Sequence, residues 1–297
     1  MPQQSQQTKQ SQQAEARLQL DRGLELVRKG KLSEAIAPLR RAAAEPTLAA
    51  DAHFLLGVDY FESKEYAKAI EELKGLENSD HSERVLYMIE ESSRRTGRVG
   101  EAKAAFHQLL TRYPDSAWTH YLMGTAYEDQ QELEKAIGEY KQALQRDPEI
   151  PNANFAIGYL YWRQQNTEEA RQWLKNETSK GCHGLANFYL GEIARAEHDN
   201  KTAEFQYRRT LECDPSSAEA HLRLGTVLGD QKHYTEAITE LKQAIRLQPN
   251  ESSAHYHLAE AYSQMGRKAD AEAEYNKVRQ IQAAKDNGID VTKVSKQ

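Results

Sequence analysis

The chain has 297 residues, of which 39% are hydrophobic and 28% charged, and its formal net charge is −6. No apolar run approaches the ~18 residues that a membrane-spanning helix needs, so we expect no membrane insertion. Nucleic-acid-binding proteins usually carry a basic surplus because phosphate contacts dominate their affinity, and the acidic balance here argues against that class.

The N-terminal segment, residues 1–15, consists mostly of Gln and Ser. Such a segment buries too little apolar surface to offset its conformational entropy, so it is predicted to be disordered. It also lacks the apolar region of a signal peptide. We therefore expect a soluble protein that is cytoplasmic as the sequence is written, or periplasmic or secreted if a signal peptide has been removed.

From residue 16 onward the chain is built of repeats. Alanines within the string EAI and its variants recur at intervals of 33 or 34 residues. They are Ala35, Ala69, Ala102, Ala136, Ala170, Ala203, Ala237 and Ala271. A Gly stands twelve residues before most of them, and a large apolar residue stands four after each. This regularity indicates many small cores laid end to end rather than one large core.

Each repeat contains two stretches with apolar residues at i, i+3 and i+4, which is the pattern of two amphipathic helices. A short polar turn separates them, and small residues at the Gly and Ala positions allow the two helices to cross closely. A recurrent Pro ends several units because it cannot continue a helix. The spacing predicts eight helical hairpins and a polar tail over 286–297. Their approximate bounds are 16–49, 50–82, 83–116, 117–150, 151–183, 184–217, 218–251 and 252–285.

This pattern resembles that of the tetratricopeptide repeat family, for example in HYLMGTAYEDQQELEKAIGEYKQALQRDP from His120 to Pro148. The resemblance extends over about 16–285. It implies an all-α fold, a right-handed superhelical α-solenoid of antiparallel helix hairpins. The RNA-binding pentatricopeptide repeat has a similar period, but the acidic balance and the EAI strings argue against it. The family hosts many unrelated roles, so the resemblance indicates the fold more strongly than the function.

In this family the first helix of each hairpin lines the inner, concave wall, and the resemblance places one recurring position of that helix in the groove. Six of the eight residues at this position are aromatic. The eight are Leu20, Phe54, Tyr87, Tyr121, Phe155, Phe188, Leu222 and Tyr256. Trp118 and Trp162 are expected near the same face. Such rings either pack on the neighbouring repeat or form a groove for an extended peptide or a helix of a partner protein.

Arginines are expected along the same wall, at Arg84, Arg94, Arg95, Arg163, Arg195 and Arg223. A guanidinium can bond a carboxylate or phosphate of a ligand bidentately. For any one of them the alternative is an ion pair within the array. The predicted partner-binding residues are Phe54, Tyr87, Tyr121, Phe155, Trp162, Arg163, Phe188, Arg195 and Tyr256.

Two hairpins depart from the pattern. The third has Glu90 and Ser93 where Gly and Tyr are expected, which predicts looser packing there. The fifth has Glu177 where a small or apolar residue usually packs, and two glycines lie in the following loop, 178–184. We expect a break in superhelical regularity at this loop.

The sequence contains no Gly-rich phosphate loop, no G-x-S-x-G and no H-E-x-x-H. Histidines recur at one place in four repeats, at His53, His120, His221 and His255. Equivalent places in successive hairpins are roughly 10 Å apart, too far for two of them to share one zinc ion, so they are expected to replace an aromatic residue at the hairpin contact. Cys182 and Cys213 are expected to be unpaired. The prediction is therefore no enzyme activity, no metal and no cofactor.

These observations favour a protein–protein interaction scaffold that binds a peptide or helical segment in the concave groove. The basic and amide clamp that chaperone adaptors of this family use for a C-terminal carboxylate is absent, because apolar residues such as Leu20 and Leu24 stand at the matching places. The alternative is a non-catalytic accessory subunit of an enzyme or of an envelope assembly complex.

Overall fold

The computed structural model describes residues 2–179 and 181–286. Over these ranges the chain forms sixteen α-helices and no strand, so the predicted all-α fold of helix hairpins is confirmed. The helices are α1 (Pro2–Arg28), α2 (Leu32–Ala43), α3 (Ala49–Glu62), α4 (Tyr66–Leu73), α5 (Ser82–Arg95), α6 (Val99–Arg112), α7 (Ala117–Asp129), α8 (Leu133–Arg146), α9 (Ala153–Arg163), α10 (Thr167–Ser179), α11 (Gly184–Ala196), α12 (Asn200–Cys213), α13 (Ala218–Asp230), α14 (Tyr234–Leu247), α15 (Ser252–Gln264) and α16 (Lys268–Asp286).

The helices group into two compact units, Met1–Ile150 and Pro151–Gln297. Within each unit, odd-numbered helices pack against the even-numbered helices that follow them. Each unit contains more than one apolar core. One core of the second unit joins Leu174 of α10 to Leu190 and Ile193 of α11, so it is shared by two successive hairpins.

The turn inside every hairpin contains one residue in the left-handed conformation, five residues before the repeating alanine. These residues are Gly30, Lys64, Gly97, Gln131, Gln165, His198, Lys232 and Gly266. The reversal lets the amide after the turn residue reach back into the first helix, as in the hydrogen bond from Glu65 N to Tyr60 O (2.8 Å). This arrangement satisfies carbonyl groups at the helix end, so it fixes the hairpin geometry.

Helix α1 begins at Pro2, so the predicted disordered segment, 1–15, is helical in the structure from residue 2 onward. Gln, Ala and Glu favour helices, and extending an existing helix avoids the cost of nucleation. Side chains 10–15 are exposed, so helix propensity rather than burial accounts for the extension. At the other end α16 is described up to Asp286, and residues 287–297 of the predicted polar tail lie outside the described residues.

The expectation of unpaired cysteines is wrong, because Cys182 and Cys213 form a disulfide with a Cα–Cα distance of 5.6 Å. Cys182 lies in the loop before α11, and Cys213 is the last residue of α12. The two helices are antiparallel partners of one hairpin, so the start of the first lies beside the end of the second. The bond therefore closes the open end of the sixth hairpin.

Candidate functional site

The predicted partner-binding residues all lie on the first helices of their hairpins, from α3 to α15, but they differ in exposure. Phe54 and Tyr87 are buried, with 7% and 8% of their surface exposed. Tyr121, Phe155, Trp162 and Phe188 are half-buried, as are Arg163 and Arg195. Tyr256 is 44% exposed. Accessible rings are therefore a subset of the predicted set.

In the first unit, aromatic rings on neighbouring helices contact one another in a row. Tyr87 of α5 stacks on Trp118 of α7 with 4.1 Å between ring centroids, and it meets Tyr121 edge-on at 6.0 Å. Phe61 of α3 also meets Tyr87 edge-on, with 6.0 Å between ring centroids. Burial raises the pKa of the Tyr87 hydroxyl well above its usual value, so this tyrosine stays protonated. Tyr87 therefore supports the outer rings of the row.

In the second unit, five rings from α9 and α11 form a surface that we call the α9–α11 aromatic cluster: Phe155, Tyr159, Trp162, Phe188 and Tyr189. Tyr189 is its centre, with ring centroids 4.7 Å from Trp162, 5.1 Å from Tyr159 and 5.5 Å from Phe188. All five side chains are half-buried. Each of these side chains is therefore partly packed and partly exposed.

Tyr159 and Tyr189 are not among the binding residues predicted from the sequence. Phe155, Tyr159 and Trp162 are spaced i, i+4 and i+7, which places them on one face of α9, and this spacing could have identified Tyr159. Tyr189 follows Phe188 directly and does not occupy the recurring aromatic position. Burial, followed by the adjacent Tyr159, raises the pKa of the Tyr189 hydroxyl to about 12, so it remains a neutral hydrogen-bonding group at physiological pH.

The arginines near these rings are held by neighbouring groups. In the second unit Glu192 is 3.3 Å from Arg195 and 3.4 Å from Arg223, and it also accepts a hydrogen bond from the Tyr207 hydroxyl. In the first unit Glu91 pairs with both Arg94 and Arg95. These four arginines therefore form ion pairs within the array, which was the alternative to ligand binding. Each pair surrounds one largely buried carboxylate and neutralises it.

Two further arginines lie over aromatic rings. The Arg163 guanidinium is 5.8 Å from the Tyr159 ring centroid, and that of Arg84 is 5.7 Å from Phe54. The Phe54 ring also stacks on the His81 ring, with 4.0 Å between centroids. The cation and the imidazole thus cover Phe54, whereas Arg163 extends the polar edge of the α9–α11 aromatic cluster.

The four recurring histidines each pair with a glutamate nineteen residues later, on the second helix of the same hairpin. The Nδ1–Oε2 distance is 2.6–2.7 Å in all four pairs. The pairs are His53–Glu72, His120–Glu139, His221–Glu240 and His255–Glu274. The histidines therefore lie at the hairpin contact as expected, but they act as hydrogen-bonding partners rather than as replacements for a packed ring.

Two general properties bear on what the site can bind. Among residues 2–179 and 181–286, no three His, Cys, Asp or Glu side chains are grouped so that they could hold a metal ion. Within the same ranges, none of the helices combines the length and the apolar character required to cross a bilayer.

Similar solved structures share the fold at low sequence identity. The Cut9 and Hcn1 tetramer of the APC/C matches with a TM-score of 0.64 and 18% identity, covering 84% of this chain and 50% of that one. YrrB, described as a TPR protein with an unusual peptide-binding site, matches with a TM-score of 0.53 and 21% identity, covering 60% of this chain and 93% of that one.

Curated relatives match by sequence as well. Mouse Superkiller complex protein 3 is 23% identical over 242 residues, which cover 67% of this chain and 16% of the relative. Mouse aspartyl/asparaginyl beta-hydroxylase is 24% identical over 206 residues, covering 60% of this chain and 26% of that enzyme. The chain thus spans only about a sixth to a quarter of the length of these relatives.

Family models match along most of the chain. One described as Tetratricopeptide repeat matches residues 20–82, 92–148 and 121–177. Another, described as TPR repeat, matches residues 227–266, and a third, again Tetratricopeptide repeat, matches 252–284. These matches cover more than half of the sequence and coincide with the helix hairpins of the structure. The chain belongs to the tetratricopeptide repeat family.

Proposed function

We propose that this protein is an adaptor that binds an extended peptide or a helical segment of a partner protein through the α9–α11 aromatic cluster. The observation that carries the proposal is the contiguous, half-buried surface of five rings on two adjacent first helices. Aromatic side chains that are already ordered lose little conformational entropy on binding and dominate the energetics of protein interfaces.

The comparisons support a binding role. YrrB is described as having a peptide-binding site, and Cut9 is found in an assembly with Hcn1. The ion-paired arginines around Glu91 and Glu192 offer few uncompensated positive charges to phosphates, and the net charge is −6, so a protein ligand is favoured over a nucleic acid. The match to the beta-hydroxylase covers a quarter of that enzyme, and we propose binding rather than catalysis for this chain.

The predicted residues outside the α9–α11 aromatic cluster have different roles in this proposal. Tyr121 and Trp118 present a second, smaller aromatic surface in the first unit, backed by the buried Tyr87. Phe54 supports its own hairpin, since His81 and Arg84 cover its ring. Tyr256 contacts Tyr275 of α16 at 6.0 Å and offers an exposed ring near the end of the second unit.

The disulfide favours one of the two compartments considered from the sequence. Disulfides persist in oxidising compartments and are rare in the cytosol. The Cys182–Cys213 bond therefore supports a periplasmic or secreted protein over a cytoplasmic one.

The proposal is tested with the full chain as bait in an extract of the cells that produce it. Captured proteins are identified by mass spectrometry, the bound segment is mapped on overlapping peptides, and its Kd is measured by fluorescence anisotropy. Phe155→Ala and Phe188→Ala should each weaken the mapped peptide about tenfold or more, because each removes a ring from the cluster.

Phe205→Ala is the matched control, because Phe205 lies on α12 with 60% of its surface exposed and no part in the cluster. It should leave the Kd unchanged. Circular dichroism checks that all three variants remain folded. If the folded Phe155→Ala and Phe188→Ala variants bind the peptide as tightly as the wild type, the α9–α11 aromatic cluster is not the binding site.

A further inference from the structure

His183 links the α9–α11 aromatic cluster to the disulfide, because it follows Cys182 directly in the loop before α11. Its imidazole stacks on the Phe155 ring, with 5.1 Å between ring centroids. Two rings of the cluster also contact Phe155, but their centroids are farther away, at 6.0 Å for Tyr159 and 6.1 Å for Tyr189. His183 is therefore the closest of these three rings to Phe155.

Hydrogen bonds fix the orientation of the His183 ring. Its Nδ1 accepts from Ala186 N at 3.2 Å and so caps the N-terminus of α11, and its Nε2 lies 2.9 Å from Asn152 Oδ1. Because a backbone amide can only donate, Nδ1 carries no proton, and Nε2 donates to the asparagine. Burial lowers the pKa of His183, although the nearby Glu177 opposes this, so the ring is neutral at neutral pH. One imidazole therefore joins the start of α9 to the start of α11.

The disulfide limits how far the backbone of His183 can move. It joins the preceding residue, Cys182, to Cys213 at the end of α12. Asn187, which is buried, donates through its Nδ2 to His183 O at 3.1 Å and also contacts Cys213 Sγ at 3.9 Å. On the other side of Cys182, Gly181 has a φ of 146°, a conformation that glycine adopts easily, so the backbone there is intrinsically flexible. The covalent bond therefore fastens this loop to α12.

The disulfide is accessible to a reductant, because Cys182 is exposed. A dithiol attacks Cys182 Sγ as a thiolate, and Cys213 leaves as a thiolate that takes up a proton. The second thiol of the reductant then displaces Cys182 from the mixed disulfide. The cysteine pair gains two electrons and two protons, and the dithiol becomes a disulfide. Both cysteines are then thiols, and the covalent link between the loop and α12 is broken.

We propose that His183 is a positioning residue for Phe155 and that the Cys182–Cys213 disulfide keeps it in place, so that the α9–α11 aromatic cluster binds its partner with full affinity only in the oxidised chain. The inference rests on the proposed function, because it concerns the regulation of the same site. In the reduced chain the loop moves away from α12 and His183 releases the Phe155 ring. Binding must then order that ring again, which lowers the affinity.

The first test needs no partner and follows the His183 ring by NMR in the full chain with isotope-labelled histidine. The His183 signal is the one that disappears in His183→Asn. In the oxidised chain the ring current of Phe155 should displace the His183 ring-proton signals, and Phe155→Leu should abolish the displacement. Dithiothreitol, a dithiol, should move the wild-type signals towards their position in Phe155→Leu. Unchanged signals in a chain whose two cysteines are shown by alkylation to be reduced would overturn the proposal.

The second test measures the Kd of the mapped partner peptide by fluorescence anisotropy with and without dithiothreitol. Reduction should weaken binding about tenfold, because the Phe155 ring is no longer held in place. The double variant with Cys182→Ser and Cys213→Ser should bind like the reduced wild type and should not respond to dithiothreitol. Circular dichroism checks that each form remains helical. An equal Kd for the oxidised and reduced wild type would contradict control of the site by the disulfide.

Two substitutions in the oxidised chain separate positioning from helix capping. His183→Asn keeps a good N-cap residue but removes the ring, so it should weaken the peptide about tenfold and leave the thermal stability nearly unchanged. His183→Phe keeps a ring against Phe155 but cannot cap α11, so it should lower the stability while the Kd stays within about threefold of the wild type. If the Kd follows the stability across these two variants, His183 acts as a cap and not as a positioning residue.

His198→Asn is the matched control for these substitutions. His198 is exposed in the turn at the other end of the same hairpin, and its φ of 62° is one that asparagine also adopts. This variant should change neither the Kd nor the His183 signals.

The results also distinguish this inference from the proposed function. If Phe155→Ala weakens the mapped peptide while reduction and His183→Asn do not, the adaptor site stands and the positioning role of His183 fails. If Phe155→Ala leaves the peptide bound as tightly as before, the proposed site itself is misplaced, and this inference fails with it.

Discussion

Glu90 stands on α5 where six other hairpins have glycine, and the structure buries it, leaving 9% of its surface exposed. Its Oε2 atom has no hydrogen-bond partner, and neither do the hydroxyls of the buried Ser92 and Ser93. Burial raises the pKa of Glu90 to about 7, although the nearby Arg94 opposes the rise. The third hairpin thus contains polar groups that the fold leaves unsatisfied, and each costs stability.

The first prediction concerns Glu90→Gln. The folded-state pKa of Glu90 is raised from 4.5 to about 7. The stability that the protonated side chain contributes is therefore fully present below about pH 4.5 and is lost as the pH rises through about 7. Glutamine has no such ionisation. We compare the unfolding free energy of the variant with that of the wild type. This difference should be about 2–3 kcal/mol more in favour of the variant at pH 8 than at pH 5.

Urea unfolding followed by circular dichroism at the two pH values measures this difference. Glu71→Gln is the control, because Glu71 is exposed on α4. It should change the stability by a similar small amount at both pH values. If the stability of Glu90→Gln relative to the wild type does not increase with pH, the pKa of Glu90 is not raised in the folded protein.

For the histidine–glutamate pairs, the sequence predicts the position of each residue but not the pairing. The recurrence of His53, His120, His221 and His255 was visible in the sequence and correctly placed them at the hairpin contact. Their partners were equally visible, since Glu recurs nineteen residues after each of the four histidines. Recognising a pair, however, requires the crossing geometry of the two helices, which spacing alone does not supply.

At the scale of helices and turns, the crossing of two helices depends on the absence of one side chain. A Cβ placed on Gly124 of α7 would lie 2.7 Å from the ring of Tyr140 on α8, and that ring is almost fully buried. Gly138 lies on the exposed side of α8 with no atom within 4 Å of such a Cβ. Only Gly124 is therefore needed for the close contact of the two helices, although both glycines lie in the same hairpin.

The second prediction compares Gly124→Ala with Gly138→Ala. Gly124→Ala should destabilise the protein by about 1–3 kcal/mol, because the methyl group displaces the packed Tyr140 ring. Gly138→Ala should stabilise it by up to about 1 kcal/mol, because alanine is the better helix former at an open position. Thermal unfolding followed by circular dichroism measures both. Equal effects of the two substitutions would contradict the proposed role of Gly124 in helix crossing.

The elements could be predicted because their signals are local. The alanine period and the apolar spacing located the hairpins, and no long-range information was needed. The turn residues were less visible, since five of the eight left-handed positions are Lys, Gln or His rather than Gly. Predicting the disulfide required the hairpin geometry as well as the repeat. An antiparallel hairpin places Cys182, just before α11, beside Cys213 at the end of α12, 31 residues later.

At the scale of the whole molecule, the repeat determines the fold but not the binding surface. Phe54 and Tyr121 occupy the same position in their repeats, yet His81 and Arg84 cover Phe54 while Tyr121 remains half-open. Whether a ring is available depends on the side chains that neighbouring hairpins contribute at other positions. For this reason the sequence predicted a broad set of groove residues, and the structure narrows the proposed site to the α9–α11 aromatic cluster.

The last prediction uses the division of the chain at Ile150 and Pro151. The α9–α11 aromatic cluster lies in the second unit, and repeat arrays are stabilised mainly by contacts between neighbouring hairpins. A fragment of residues 151–297 should therefore be helical by circular dichroism and bind the mapped partner peptide within about threefold of the Kd of the full chain. The fragment 1–150, equally helical, should bind it much more weakly. If the two fragments fold but the affinity follows 1–150, the partner-binding surface lies around Tyr121 and Trp118, and the cluster on α9 and α11 is a packing feature.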